Sequence, residues 1–408
     1  MSYKLYFPKQ LCANINLPTS KSISNRALII YALTTKGIIP NQLARCDDTA
    51  VLTQALSSSE QIIDVGAAGT SMRFLTAYYA ATPGTHTLTG TERMKNRPIH
   101  VLVDALRQLG ADISYLEKEG YPPLKIRGKT ISNNKIALDG SISSQFITAL
   151  LLIAPTLQNG LQLSLLHTIT SRPYIDMTLK LMSYFGAEAK WIDDQTISVP
   201  PQPYKPNHLT IEPDWSAASY WFSIAALAPN AQITLNHLML PSIQGDAKGA
   251  ELFKQLGVEF TPYSKGIQLS SNPLIADELR LDFVAIPDLV QTFVVTACLL
   301  EVPFYITGVS TLRIKETDRI KALQVELKKL GYLVQAQGDH AIYWTGEHCT
   351  PLENPCINTY HDHRMAMAFT PAALKYPNLC INNPEVVTKS YPHFWTDLQQ
   401  SGVRLLKK

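Results

Sequence analysis

This 408-residue sequence has little net charge, no closely spaced pair of cysteines and no long apolar run. The formal net charge is only +3, so the chain lacks the broad basic field of a nucleic-acid binder. The six cysteines include no CxxC pair, and their spacing predicts reduced, mostly buried thiols. No apolar run is long enough to cross a bilayer, and the N-terminus does not resemble a signal peptide. We therefore expect a cytoplasmic protein in which locally placed cations hold any bound anion.

The length of the chain is sufficient for two domains, each with its own core. The proline-rich segment 200–214, PPQPYKPNHLTIEPD, precedes a strongly apolar helical pattern. This change of composition predicts a domain boundary at that segment.

One pattern recurs along the chain: an amphipathic helix that ends in a large apolar residue and glycine, followed by two short strands. Copies lie at 101–128, 177–199, 249–270 and 320–344, with a truncated copy at 394–406. In each copy the glycine is predicted to cap the helix, and the alternating residues predict a hairpin. Recurrence at similar spacing indicates an internal repeat. A first copy at 47–65 runs from a helix almost directly into one strand, so it has lost its hairpin.

Between these copies lie helices that are apolar on nearly every side, at 72–79, 144–155, 216–228, 289–300 and 364–374. A helix without a polar face is buried all round. The pattern therefore predicts an α/β fold in which buried helices are surrounded by small outer sheets.

The stretch LPTSKSISNRAL, residues 17–28, places Ser20, Lys21, Ser22 and Arg26 at the start of an apolar helix. Unpaired N–H groups and the positive end of the dipole favour anions there. A serine N-cap with solvated basic neighbours is the alternative.

Further hydroxyls and cations precede other helices of the first half. Gly69 would allow close approach of an anion to the backbone, although one glycine loop is weak evidence. Arg97 lies on a loop that could simply be solvated. The remaining candidates are Ser143, Ser144, Gln145 and Ser171.

The second half supplies carboxylates. Asp288 begins a very apolar helix and could be only an N-cap. Lys315, Glu316 and Arg319 share one turn, which is either a self-paired surface turn or the site of a general acid. Arg364 and Lys389 add cations, whereas His361 and His363 lack further residues at metal-ligand spacing.

At this point the motifs resemble those of the 5-enolpyruvylshikimate-3-phosphate synthase family along nearly the full chain. The matching segments are LPTSKSISNRAL, AGTSMR, RMKNRPI, DGSISSQFITALL, SRPYIDMTL, IPD, KETDRI and DHRMAMAF, with the loop that carries Lys389. The resemblance implies a two-domain inside-out α/β barrel built from βαβαββ repeats, here with a truncated first repeat. It implies one domain at 17–212 and another formed by 1–16 and 213–408, with the active site between them.

The resemblance also implies a role for each matching residue. Asp288 corresponds to the proton acceptor, Glu316 to the proton donor and Lys21 to a further catalytic residue. Contacts to shikimate 3-phosphate are expected from Lys21, Ser22, Arg26, Ser143, Ser144, Gln145, Ser171, Asp288, Thr311 and Lys315. Contacts to phosphoenolpyruvate are expected from Lys21, Gly69, Arg97, Gln145, Arg319, Arg364 and Lys389. Thr311 stands where the family often has an asparagine, so its contact depends on a different side chain.

The implied reaction transfers the enolpyruvyl group of phosphoenolpyruvate to the 5-hydroxyl of shikimate 3-phosphate, without a metal or other cofactor. The enzyme would be a monomer and a target of glyphosate. The sister transferase that acts on UDP-N-acetylglucosamine is one alternative, but the KETDR turn and the Ser-Ser-Gln triplet favour shikimate 3-phosphate. A non-catalytic anion-binding module is another, against which the low net charge and both carboxylates argue.

Overall fold

The computed structural model describes residues 1–34 and 40–408. The chain divides into two compact units. We call Thr19–Ile211 the N-terminal unit, and Met1–Pro18 together with Glu212–Lys408 the C-terminal unit. The sequence places the corresponding boundaries at 16/17 and 212/213.

The strands are short. In chain order they are β1 Ser2–Tyr6, β2 Cys12–Asn16, β3 Ile62–Asp64, β4 Gly84–Thr89, β5 Asp112–Tyr115, β6 Leu124–Gly128, β7 Lys135–Asp139, β8 Leu161–Leu166, β9 Lys190–Trp191, β10 Thr196–Val199, β11 Gln232–Asn236, β12 Val258–Tyr263, β13 Gly266–Ser271, β14 Leu279–Asp282, β15 Phe304–Thr307, β16 Gln335–Gln337, β17 Ala341–Trp344, β18 Cys356–Ile357, β19 Cys380–Asn382 and β20 Arg404–Lys407.

Most of the helices are longer. In chain order they are α1 Lys21–Leu33, α2 Asp47–Ser57, α3 Gly69–Ala81, α4 Glu92–Lys95, α5 His100–Leu109, α6 Ser144–Ile153, α7 Arg172–Tyr184, α8 Trp215–Leu227, α9 Gly249–Phe253, α10 Val290–Leu299, α11 Arg319–Lys329, α12 His363–Phe369 and α13 Phe394–Gln400. Single 3₁₀ turns include Pro287–Leu289, Ser310–Ile314 and Pro384–Lys389.

The five sheets found in the described residues share one topology. Each has four strands, with one parallel pair followed by two antiparallel pairs, as in β7-β8-β10-β9 and β14-β15-β17-β16. The glycine of every predicted copy lies at a helix end with φ between 75° and 111°: Gly110, Gly186, Gly257, Gly331 and Gly402. Glycine adopts this left-handed conformation without the usual penalty. The predicted alternation of helix, glycine and strands is therefore present.

The first copy is the exception. Helix α2 leads directly to β3 without a hairpin between them, as the sequence predicts. Its strand, β3, joins the sheet β3-β4-β6-β5, and between α1 and β3 the only β pairing in the described residues is an isolated bridge, from Asn41 to Thr210.

The apolar helices form the cores. Every residue of α10 and α12 is buried, and α6 is buried from Phe146 to its end. In the C-terminal unit Phe293 lies against Phe253 and Phe283, with ring centroids 4.3 and 5.0 Å apart. No helix in the described ranges is long and apolar enough to cross a membrane.

The expectation of six reduced, mostly buried cysteines is wrong. Cys356 and Cys380 form a disulfide because β18 and β19 place them directly opposite each other, with Cα atoms 4.4 Å apart. Their separation of 24 residues carries no signal of this pairing. Cys12 is exposed, whereas Cys46 and Cys298 are buried.

Replacing Phe293 with alanine should lower the free energy of unfolding of the C-terminal unit by about 3–5 kcal/mol, because a fully buried ring is lost and a cavity remains. Urea unfolding monitored by tryptophan fluorescence tests this, since Trp191 is the only one of the five tryptophans outside this unit. Leu352→Ala, at a side chain that is 53% exposed, is the control. Equal effects of the two substitutions would contradict the assigned core.

Candidate active site

The guanidinium of Arg319, on the first residue of α11, lies at the centre of a cluster in the C-terminal unit. Arg319 is only 1% exposed, yet it bonds three carboxylates. Its Nε donates to Asp362 at 2.8 Å, one Nη to Asp288 at 3.2 Å and the other to Glu316 at 2.9 Å. Burial opposes the charge, but attraction from the three carboxylates outweighs it and raises the pKa of Arg319 above its usual value.

Asp288 lies in the 3₁₀ turn that leads into α10, and it is not a helix N-cap. Besides Arg319, it accepts a hydrogen bond from Arg364 at 2.8 Å and lies 3.5 Å from the Lys315 ammonium. Burial favours the neutral acid, but attraction from Arg364, Lys315 and Arg319 together outweighs it. The pKa of Asp288 is therefore far below the ordinary value, and the group is ionised at neutral pH.

Glu316 precedes α11 and faces two cations. In addition to Arg319 it lies 3.3 Å from the ammonium of Lys389, which comes from the 3₁₀ turn Pro384–Lys389. Glu316 and Arg319 are thus three residues apart, as in a self-paired surface turn, but their ion pair is largely buried. Lys315 pairs with Asp288 rather than with Asp318, which instead bonds Arg313 at 3.0 Å. The turn is therefore not the self-paired surface turn that the sequence left open.

Arg364, at the start of α12, completes the cluster. Its guanidinium donates to Ser216 and Tyr220 of α8, each at 3.4 Å, as well as to Asp288. Four cations from three stretches of chain thus meet three carboxylates: Lys315, Arg319, Arg364 and Lys389 with Asp288, Glu316 and Asp362. The excess of positive charge suits an anionic ligand.

Thr311 lies in the 3₁₀ turn just before Lys315. Its buried hydroxyl has no hydrogen-bond partner among the residues that the structure describes. A buried hydroxyl without a partner is costly, so a ligand that bonded it would recover free energy.

In the N-terminal unit, α1 begins as the sequence predicts. The Ser20 hydroxyl caps the helix by accepting from the N–H of Ile23. Lys21, its first residue, donates to Asp48 of α2 at 3.1 Å, and both side chains are largely buried. Lys21 is therefore a buried, paired cation and not a solvated one.

Arg26 lies one turn further along α1 and is only 4% exposed. It donates to the hydroxyls of Thr178 and Thr148 at 2.8 and 3.3 Å, and to the carbonyls of Ser22 and Tyr174 at 2.8 and 3.3 Å. All four partners are uncharged. Burial consequently lowers the pKa of Arg26 to about 10, which still leaves the group charged at neutral pH.

Gly69 opens α3 beside two guanidinium groups. A Cβ at this position would lie 2.4 Å from an Nη of Arg97 and 3.0 Å from one of Arg73. Arg73 donates to the Gly69 carbonyl at 3.0 Å. The absence of a side chain at Gly69 therefore allows Arg97 to reach the start of the helix.

The other predicted residues of this unit lie at the starts of two packed helices. Ser143 caps α6 and accepts from the N–H of Gln145, whose side chain donates to Thr70 at 3.2 Å. Ser144 is the first residue of α6. Ser171 is buried and has a φ of 56° immediately before α7. These starts and those of α1 and α3 belong to helices that pack against one another.

Two buried carboxylates are absent from the site predicted from the sequence. Asp48 bonds Lys21 in the N-terminal unit, and Asp362 bonds Arg319 in the C-terminal unit. Each stands where its residue type alone suggests only a helix start: Asp48 in the first turn of α2, and Asp362 as the N-cap of α12. Asp362 accepts from the N–H of Arg364 at 2.9 Å. Their long-range partners could not be read from local sequence. Within the described ranges, no three His, Cys, Asp or Glu side chains are grouped so that they could hold a metal ion.

Comparison with known proteins decides the family. The family model described as EPSP synthase (3-phosphoshikimate 1-carboxyvinyltransferase) matches residues 50–398. The chain belongs to the EPSP synthase family. A curated relative from Bacteroides fragilis, named 3-phosphoshikimate 1-carboxyvinyltransferase, is 55% identical over 402 residues and covers 98% of each chain. A relative of the same name from Photobacterium damsela subsp. piscicida is 36% identical and covers 95% of this chain and 96% of its own.

Solved structures support the same mixed α/β fold. An EPSP synthase from Acinetobacter baumannii aligns over 100% of both chains, with a TM-score of 0.76 and 21% identity. The enolpyruvyl transferase NikO from Streptomyces tendae aligns over 100% of this chain and 99% of its own, with a TM-score of 0.74 and 15% identity. At these identities the likeness concerns the fold alone.

Asp288→Asn should lower the free energy of unfolding at neutral pH by roughly 3 kcal/mol, because three cations lose a largely buried partner. The pKa of Asp288 is lower in the folded state than in the unfolded chain, where it is about 3.9. The carboxylate therefore contributes its full stabilisation of the folded state above that pH, and this stabilisation is lost as the pH falls further. The difference between wild type and variant should therefore shrink below about pH 4.

Urea unfolding between pH 3 and 7 measures this difference. The buffers should be free of phosphate and sulfate, which would bind the cations. The exposed Asp277→Asn is the matched control. A difference that stays constant across this range would contradict the assigned charge cluster.

Proposed function

We propose that the chain transfers the enolpyruvyl group of phosphoenolpyruvate to the 5-hydroxyl of shikimate 3-phosphate and releases phosphate. The 5-hydroxyl attacks C2 while C3 gains a proton, which gives a tetrahedral phosphoketal. Loss of phosphate and of a C3 proton then yields the enol ether. The observation that carries the proposal is one buried guanidinium, Arg319, that holds two differently placed carboxylates, Asp288 and Glu316.

Asp288 is proposed to accept the proton of the attacking hydroxyl. Three cations stabilise its charge and lower its pKa, so it is a weak base until they are shared with a substrate. An anionic substrate would share Arg364, Lys315 and Arg319 and so weaken their hold on Asp288. Substrate binding would thereby raise the basicity of the carboxylate when a proton has to be removed.

Glu316 is proposed to donate the proton that reaches C3 and to take one back during elimination. Its two cationic partners, Arg319 and Lys389, belong to the proposed phosphoenolpyruvate contacts. Carboxylates set among cations can stabilise the cation-like C2 centre while the site still holds an anionic substrate.

Shikimate 3-phosphate is proposed to bind chiefly through the N-terminal unit. Arg26 supports this assignment, since it is a buried cation whose protein partners are all uncharged. An anion would compensate this charge. The full proposed set is Lys21, Ser22, Arg26, Ser143, Ser144, Gln145, Ser171, Asp288, Thr311 and Lys315.

Phosphoenolpyruvate is proposed to bind cations from both units. Gly69 supports this assignment, because the missing side chain leaves Arg97 access to the start of α3. The proposed set is Lys21, Gly69, Arg97, Gln145, Arg319, Arg364 and Lys389. Lys21 would also act in catalysis, by stabilising charge that develops on the substrates.

Each unit is further proposed to be an inside-out α/β barrel of βαβαββ repeats, with the first repeat truncated. The shared topology of the five sheets around buried helices supports this description. We also propose that the enzyme acts as a cytoplasmic monomer without metal or organic cofactor, because every proposed contact comes from one chain.

Purified protein should release phosphate only when shikimate 3-phosphate and phosphoenolpyruvate are both present. A coupled phosphate assay, with each substrate omitted in turn, measures this dependence. Release with UDP-N-acetylglucosamine in place of shikimate 3-phosphate, and none with the latter, would assign the sister activity instead. Anion binding without any release would favour a non-catalytic module.

Glu316→Gln should lower kcat by about 10²–10⁴-fold, because the amide retains the shape of the side chain but cannot donate the proton. The KM values for both substrates should change much less. Steady-state kinetics separate the two parameters, and the exposed Glu353→Gln is the matched control. Wild-type turnover in Glu316→Gln would remove this residue from the mechanism.

A further inference from the structure

The turn that leads into α12 has an uncommon backbone. Tyr360 and His361 have φ values of 53° and 56°, so two successive residues with side chains adopt the left-handed conformation. Such residues persist there only where surrounding contacts hold them. The next residue, Asp362, bonds both Arg319 and the N–H of Arg364. The position of both guanidinium groups therefore depends on this turn.

Two of the contacts that hold the segment before and within this turn come from Glu326. Its side chain is completely buried. One carboxylate oxygen accepts from the Tyr360 hydroxyl at 2.6 Å, and the other accepts from the backbone N–H of Asn358 at 3.0 Å. Glu326 therefore bonds one residue shortly before the two left-handed residues, Asn358, and one of the two themselves, Tyr360.

The charge of Glu326 is compensated locally. Lys329, one turn later in α11, donates to the carboxylate at 2.6 Å and to the Cys356 carbonyl at 2.9 Å. Burial, and next the bond to Glu326, raise the pKa of Tyr360, so the hydroxyl stays protonated as a donor. Because Lys329 already neutralises the carboxylate of Glu326, the bonds from Glu326 to Asn358 and Tyr360 are not needed to compensate its charge.

Helix α11 carries both Arg319 and Glu326. The two residues are seven positions apart, which is two helical turns, and both are buried on one face. Arg319 bonds Asp362 at one end of the segment 358–362, and Glu326 bonds Asn358 and Tyr360 towards the other. One rigid helix thereby fixes the segment at two places.

We propose that Glu326 is a positioning residue, which acts through the Tyr360 turn to place Asp362 and Arg364 for phosphoenolpyruvate. The inference rests on the proposed role of Arg364 as a contact to that substrate. Glu326 is not among the proposed contacts to either substrate. Asp362 directly follows the turn and caps α12, so a small shift in the turn would move Asp362 and, with it, Arg364, whose guanidinium bonds Asp288.

Two substitutions test the proposal. Tyr360→Phe removes one hydroxyl, and Glu326→Gln keeps the shape but removes the charge. We expect kcat/KM for phosphoenolpyruvate to fall about tenfold in each, because displacement of a binding group by a fraction of an ångström is costly. The KM for shikimate 3-phosphate should stay within about twofold. The double variant should be little worse than either single one, since both break the same contact.

The matched control is Tyr376→Phe. Tyr376 donates its hydroxyl to the Leu330 carbonyl, at the opposite end of α11. This substitution should leave both kinetic parameters unchanged. An equal fall in kcat/KM in the control, or variants that lose only thermal stability while the folded enzyme keeps wild-type kinetics, would overturn the proposal. Tyr360→Phe removes a single oxygen atom, so this variant still tests the proposal if Glu326→Gln does not fold.

Arg364→Ala separates this inference from the proposed function. If Arg364→Ala weakens phosphoenolpyruvate binding but the two turn variants do not, the positioning role of Glu326 is wrong and the site assignment stands. If Arg364→Ala leaves the KM for phosphoenolpyruvate unchanged, the assigned role of Arg364 is wrong, and the inference falls with it.

Discussion

A single buried guanidinium organises the charge cluster of the C-terminal unit. Arg319 has almost no exposure, and its cost of burial is met by hydrogen bonds to Asp288, Glu316 and Asp362. The guanidinium group is planar and its donors point in fixed directions, so it sets the relative positions of the carboxylates that it bonds. Lysine could not replace it, because an ammonium group lacks this fork. Removing the charge would leave three acidic groups close together in a buried site.

The two units deal with a buried arginine in opposite ways. Arg319 is surrounded by carboxylates, which keep it ionised, whereas Arg26 bonds hydroxyls and carbonyls and lies over the ring of Phe74, all of them uncharged. A buried cation without a counter-charge is unfavourable until an anion arrives. Binding energy can therefore be gained at Arg26 by direct compensation. At the Arg319 cluster, an anion would instead share cations that carboxylates already bond, so under the proposed function substrate binding would be coupled to the state of Asp288 and Glu316.

Local patterns carried much of the fold but only part of the site. The recurring glycine after each surface helix predicts the left-handed helix ends at Gly110 and Gly331, and the all-apolar pattern predicts the complete burial of α10. Both features depend on residues that are close in sequence. Contacts between distant segments left no such signal. The pairs Lys21–Asp48 and Arg319–Asp362, and the disulfide Cys356–Cys380, depend on which helices and strands become neighbours. Sequence spacing does not contain that information without the assembled sheets and helices.

Under the proposed function, the arrangement also explains why a site for anionic substrates contains so many acidic groups. Bare cations would attract phosphate and other anions of the solution without discrimination, and burying them unpaired would destabilise the unit. Pre-formed pairs remove most of that cost, and they fix each cation before a ligand enters. A ligand then gains free energy only where its anions match several cations at once, as at Arg319, Arg364 and Lys389. In the proposed function, discrimination among anions would thus come from the geometry of the paired cations, and Asp288 and Glu316 would also serve in proton transfer.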